Sequence, residues 1–205
     1  MTTVLVPAGP WSATRGDDQQ PVGGGFTESG LPPAAIPSVT EGTLRAFSNP
    51  DRGWALVLDA LGIAMDSVQP IDDPGTQTTN TGQQVIGRSW LGSELSSGFM
   101  LGVILKKAEK PGDALTCRDT LWTRFRNEDM TRIRKSGDAE QAYIEYMAPS
   151  ARSRNLHIFR VHDGYWLAIH LSKVDYRGSD DGSFEKLRTS VRIRTDTARG
   201  AATRP

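Results

Sequence analysis

His157 and His170 are the two side chains of this chain whose types and placement come closest to chemistry. The run from Arg154 to Lys173 holds two extended apolar segments joined by Asp163-Gly164, a dipeptide that favours the φ > 0 conformations of a two-residue hairpin turn. If that turn is the whole loop, His162 faces Tyr165, and counting back along both strands sets His157 opposite His170. Facing imidazoles can bind a transition metal with a third ligand, or act as a pH-sensitive element because protonating both sets like charges side by side. The plainer reading makes each a half-buried sheet residue beside Phe159 and Trp166. His162 lies at the turn and does not complete a metal set, so neither a metal nor a cofactor is expected.

The other reactive residue types read as structural. Cys117 lies on the apolar stripe of a helix, where burial raises a thiol's pKa and leaves it inert; as the single cysteine it also forms no intrachain disulfide. No serine sits in a Gly-x-Ser-x-Gly elbow, and Gly23-Gly24-Gly25 lacks the Lys-Ser/Thr of a phosphate loop. Asp72-Asp73 fits a polar loop and Asp180-Asp181 a helix start, and neighbouring residues do not aim two carboxylates at one point. No catalytic residue is assigned, and a non-enzymatic protein is expected. The aromatic residues suggest recognition instead, since aromatics are enriched at binding hot spots. The expected partner-binding face comprises His157, Phe159, Trp166, His170 and Tyr143.

Those residues require a particular scaffold. Trp54–Asp59, Gln84–Leu91, Gly98–Lys107, Met130–Lys135 and Ala142–Met147 read as strands, with the loop Ile71–Gly82 between the first two. Asp113 suits an N-cap before Ala114, Cys117, Leu121 and Phe125, which recur at helical spacing with Trp122 widening the stripe. A last helix is expected from Ser179, with Phe184, Leu187 and Val191 buried, reaching Ile193. In the hairpin, Leu156, Ile158, Ile169 and Leu171 share one face, while His157, Phe159, Trp166, Ala168 and His170 share the other. A strand pair apolar on both faces belongs in a sheet covered on both sides.

Composition sets the outer limits. Residues 1–50 hold seven of the twelve prolines and seven of the twenty-one glycines without sustained periodicity; they read as a flexible Pro/Gly-rich extension. Residues 51–194 form the expected single domain, and 195–205 a disordered tail. Net charge is zero and the pI near 6.8, which argues against a nucleic-acid partner. The local cluster Arg118, Arg124, Arg126, Arg132, Arg134 and Lys135 is interrupted by Asp119, Glu128 and Asp129 and reads as a solvated, salt-bridged face. No apolar run reaches the roughly 20 residues that span a bilayer, and no signal-peptide pattern is visible. The expectation is a cytoplasmic protein, with a periplasmic or extracytoplasmic location as the alternative if the true N-terminus carries a leader.

Taken in order, GWALVLDALG, CRDTLWTRF, AYIEYM and LHIFRVHDGYWLAIHLSKVDY…SFEKLRTSVRI resemble the PsbP-like α/β/α sandwich group, which includes the PsbP subunit of photosystem II, the Mog-type Ran-binding proteins, and bacterial lipoproteins and secretion chaperones. The likeness spans residues 53–193 and is greatest to uncharacterised bacterial proteins of that shape. It implies an α+β fold, an α/β/α sandwich around a mostly antiparallel sheet. It also implies a non-enzymatic protein-binding or assembly subunit of a larger complex, without cofactor, with peripheral association with a membrane complex within its range. The alternative is a metal-binding or enzymatic protein built on the His157/His170 pair.

Overall fold

The computed structural model describes residues 42–49, 52–72 and 85–195. In chain order these form β1 (Leu44–Asn49), β2 (Trp54–Asp59), β3 (Asp66–Asp72), β4 (Val85–Glu94), β5 (Phe99–Lys107), α1 (Ala114–Phe125), β6 (Thr131–Gly137), β7 (Ala142–Ala148), β8 (Ser153–His162), β9 (Tyr165–Lys173), α2 (Asp181–Ser190) and β10 (Arg192–Thr195). The fold is α+β. Seven strands make an antiparallel sheet in the order β3-β4-β5-β9-β8-β7-β6, and three make a second in the order β1-β2-β10.

The β8–β9 hairpin sits near the middle of the large sheet. Its register is the one the Asp163-Gly164 turn dictates, with His157 opposite His170 and Ile158 opposite Ile169. Asp163 and Gly164 both take positive φ, 49° and 74°, as a primed turn demands. Leu156, Ile158, Leu167, Ile169 and Leu171 pack with Leu101, Val103 and Leu105 of β5 against Trp54, Leu56 and Leu58 of β2 and Phe184 and Leu187 of α2. On the opposite face, Phe159, Trp166 and Ala168 lie with Ala142, Ile144 and Tyr146 of β7 beneath Ala114, Cys117, Leu121, Trp122 and Phe125 of α1. Asp113 caps α1, its carboxylate accepting from the Thr116 N–H at 2.9 Å.

The large antiparallel sheet is therefore covered on both faces, as expected. One cover is α1; the other is α2 together with the small sheet, whose central strand β2 is buried along its whole length. Trp54 ties β2 to the hairpin tip, donating from Nε1 to Asp163 at 3.4 Å and standing edge-on to His162 and Tyr165.

Three elements depart from the sequence reading. Leu44–Asn49, expected within the N-terminal extension, is a strand paired residue for residue with β2; with one residue in two apolar, its fate is decided by the partner strand and not by its own pattern. β3 was not anticipated, because its residues are largely polar. The final helix stops at Ser190: Val191 leaves helical geometry at ψ 119°, and Ile193 pairs with Leu56 as part of β10. Its N-cap is Asp180, one residue beyond Ser179. Residues 1–41, 50 and 196–205, the rest of the two expected tails, and 73–82 of the expected loop Ile71–Gly82 lie outside the described residues; Ile71 and Asp72 of that loop end β3 instead. Among those described, no helix is long and apolar enough to cross a membrane.

Candidate functional site

Of the five residues expected to form a partner-binding face, none offers an open one. His157, Phe159 and Trp166 are buried at 1%, 0% and 1% exposure, because α1 lies across β7 and β8 and closes that side of the sheet. His170 shares their face and is half-buried. Tyr143 belongs to the other face: it is opposite Ile158 in the β7–β8 register, carries the Arg188 guanidinium 4.8 Å from its ring centroid, and accepts from Gln141 at 2.6 Å. Alternation along β7 separates it from the histidines.

The histidines form a stack. The His157 ring lies 4.1 Å from that of His170 at an interplanar angle of 5°, and 4.4 Å from Phe125 on its other side. His157 Nε2 meets the Tyr146 hydroxyl at 3.4 Å and His170 Nε2 meets Asn155 Oδ1 at 3.0 Å; His157 Nδ1 has no partner among the described residues. Burial, with the neighbouring His170, pushes the His157 pKa well below its ordinary value, and burial pushes His170 down to about 4. Face-to-face rings hold their in-plane lone pairs parallel, so the two nitrogens do not converge on one ion. No group of three His, Cys, Asp or Glu suited to a metal occurs among the described residues.

Cys117, on the buried face of α1, is sealed against the sheet, and burial drives its thiol up to about 12. The folded protein should resist a colourimetric thiol reagent at pH 8 and react fully only on unfolding; labelling rates with and without denaturant check this, and fast native labelling would contradict the packing.

Asp180 accepts from the Arg177 N–H at 2.8 Å, and Asp181 accepts from the Tyr176 hydroxyl at 2.5 Å and pairs with Arg154. They act separately, as a helix start predicts. The basic cluster also divides. Arg118 and Lys135 share Asp119 at 3.0 and 3.1 Å, and Arg124 pairs with Glu109, which is the salt-bridged face expected. Arg132 and Arg134 do not join them.

Those two arginines line an open cleft of about 290 Å³, together with Glu145, Tyr146, Met147, Arg154, Tyr176 and Asp181. A β-bulge places them. Thr131 pairs with Met147 but Arg134, not Ile133, pairs with Glu145, so β6 carries one extra residue, and Arg132 takes φ 52° to absorb it. Bulges re-aim side chains in this way, and a non-glycine residue at positive φ stores strain that the surrounding structure must hold. Glu145 anchors the cleft floor, accepting from Arg154 at 2.9 Å and from Arg188. Burial alone raises the Glu145 pKa, but the hydrogen bonds and charges of Arg154 and Arg188 outweigh it and hold the carboxylate below its usual range. The two carboxylates are thus answered by Arg154 and Arg188, leaving Arg132 and Arg134 without a partner among the described residues. The sequence places Arg132 and Arg134 on the expected strand Met130–Lys135, and β6 bears that out; grouping them with the α1 arginines in one salt-bridged cluster is what hides the cleft.

Fold and site together define an α+β protein with a central antiparallel sheet, a closed aromatic interior and an arginine-lined cleft at one sheet edge. No family model and no curated protein matches the chain. Among solved structures it is similar to the solution structure of cyanobacterial PsbP (CyanoP) from Synechocystis sp. PCC 6803, with 15% identity and a TM-score of 0.43, over 83% of this chain and 98% of that one.

Proposed function

We propose that this protein is a non-catalytic accessory subunit that docks a protein partner along the outer edge of β6. The observation that carries this reading is the state of that strand. β6 ends the large sheet, every one of its residues is exposed, and no described strand pairs with its outer side. A free edge presents unpaired N–H and C=O groups to an incoming strand. Uncommitted charge at Arg132 and Arg134 lies directly beside it. The histidine–aromatic set, by contrast, is closed to a substrate by α1, and its stacked geometry does not favour the metal or enzymatic alternative.

Selection of displayed peptides on the full chain, followed by amide hydrogen exchange with the enriched sequences, tests the proposal. Enriched peptides should slow exchange in Thr131–Gly137. Protection confined to any other element, or no enrichment at all, would remove β6 as the docking edge.

A further inference from the structure

The two sides of β6 are chemically unlike, and the difference specifies a partner. On the side shared with Glu145 lie Arg132 and Arg134, lining the cleft. Ile133 has the same parity as Lys135, which pairs with Ile144 on the α1 side, so Ile133 projects to that side, 45% exposed. Lys135 is already held by Asp119 and lies over the Trp122 ring. An incoming strand thus meets two free guanidiniums on one face and an exposed branched aliphatic side chain on the other.

Side chains of paired strands alternate between faces, and directly opposed residues stand roughly 4.5–5.5 Å apart at Cβ. The bulge breaks that alternation at Arg132, yet both arginines line one cleft, so carboxylates on one face of an incoming strand meet both. Guanidinium–carboxylate pairs are charge-assisted and often bidentate, whereas a basic strand would meet like charge. The residue between the carboxylates falls over Ile133 and gains from being apolar. Resting on the β6 docking reading, we infer that the partner is an extended segment of another protein in which acidic and apolar residues alternate, its carboxylates entering the Arg132–Arg134 cleft.

The test uses the full chain and three short synthetic peptides flanked by Gly-Ser: one alternating Glu and Val, one with Gln for Glu, one with Lys for Glu. Binding is read by fluorescence anisotropy at low and physiological salt, and location by amide exchange. The Glu peptide should bind about tenfold or more tightly than the Gln peptide, as loss of charge-assisted pairs implies. Its affinity should fall with salt, and the Lys peptide should not bind. Arg134→Gln and Arg132→Gly should each weaken the Glu peptide about tenfold while thermal unfolding confirms that both variants fold; glycine suits the positive φ at 132. Equal affinity of the Glu and Gln peptides, with β6 protected, would overturn the acidic partner and leave the docking edge standing. Binding of the Glu peptide that survives both substitutions would also overturn it. Protection of β6 by none of the peptides would overturn this inference, while the docking edge would still answer to the displayed-peptide selection.

Discussion

Lowering the pH from 8 to 5 should destabilise the folded chain by about 3 kcal/mol, a fall in Tm near 10 °C for a domain of this size. The cause is the stack of His157 and His170. Both have pKa values depressed in the fold, His170 to about 4. The unfolded chain takes up protons near pH 6.5 while the folded one does not, so the stability present above that pH is lost as pH falls towards 4. Each histidine that stays fully neutral in the fold contributes about 2 kcal/mol of this loss by pH 5. His170 retains solvent contact, which trims its share. Tyr146, the hydroxyl facing His157, stays neutral throughout, since burial raises it to about 12, and Phe125 and Phe159 offer no charge. Carboxylates held low by their partners, such as Glu109 at about 2, lose their contribution only below pH 4.5, so the window from 6.5 to 5 isolates the histidines. His157→Phe keeps a ring between Phe125 and His170, removes an unpartnered Nδ1, and should cut the loss by about half while changing stability at pH 8 by less than about 1.5 kcal/mol. Denaturant unfolding of both proteins across this range measures it; a flat profile in the wild-type chain would mean the stack is open to water.

The hairpin was legible because its information is local. Asp163-Gly164 fixes the turn, the turn fixes the register, and the register fixes every facing pair from Arg154–Lys173 to His162–Tyr165. Apolar residues on both faces then required two covers. The identity of the second cover was not local: β2 reads as a strand, but that it would enter a separate sheet with β1 and β10 depends on where the chain returns, and Arg192–Thr195 carries a single apolar side chain with which to say so. The same limit explains the site. Sequence spacing could bring His157, Phe159 and Trp166 to one face, yet whether α1 lay across that face or the other was a matter of packing. Tyr143 was misplaced by treating aromatic residues as a group, although the alternation of AYIEYM already puts it opposite to Ile144 and Tyr146. The Arg132–Arg134 cleft was hidden by the bulge, since β6 holds one large apolar residue, Ile133, and a phase shift needs apolar residues on both sides of it to be read.

Glu145 should show opposite signs in stability and binding. Glu145→Ala removes the anion shared by Arg154 and Arg188, whose side chains are 20% and 27% exposed. Arg154 keeps Asp181 and Tyr176, but Arg188 keeps only Glu185 at 3.9 Å as an ion-pair partner. Stripping one partner from a fully buried pair costs 3–5 kcal/mol; with this much solvent access the expected loss is about 2 kcal/mol. Glu145→Gln, which still accepts hydrogen bonds, should cost about half as much. Both substitutions add one net positive charge to the cleft beside Arg132 and Arg134. Affinity for the alternating Glu–Val peptide should therefore rise severalfold as stability falls, with no gain for the Gln–Val peptide and with the gain shrinking in salt. Chemical denaturation and anisotropy on the same samples separate the two effects. A parallel loss of both would mean that Glu145 shapes the docking edge mainly through packing, and that the cleft is not read by its charge.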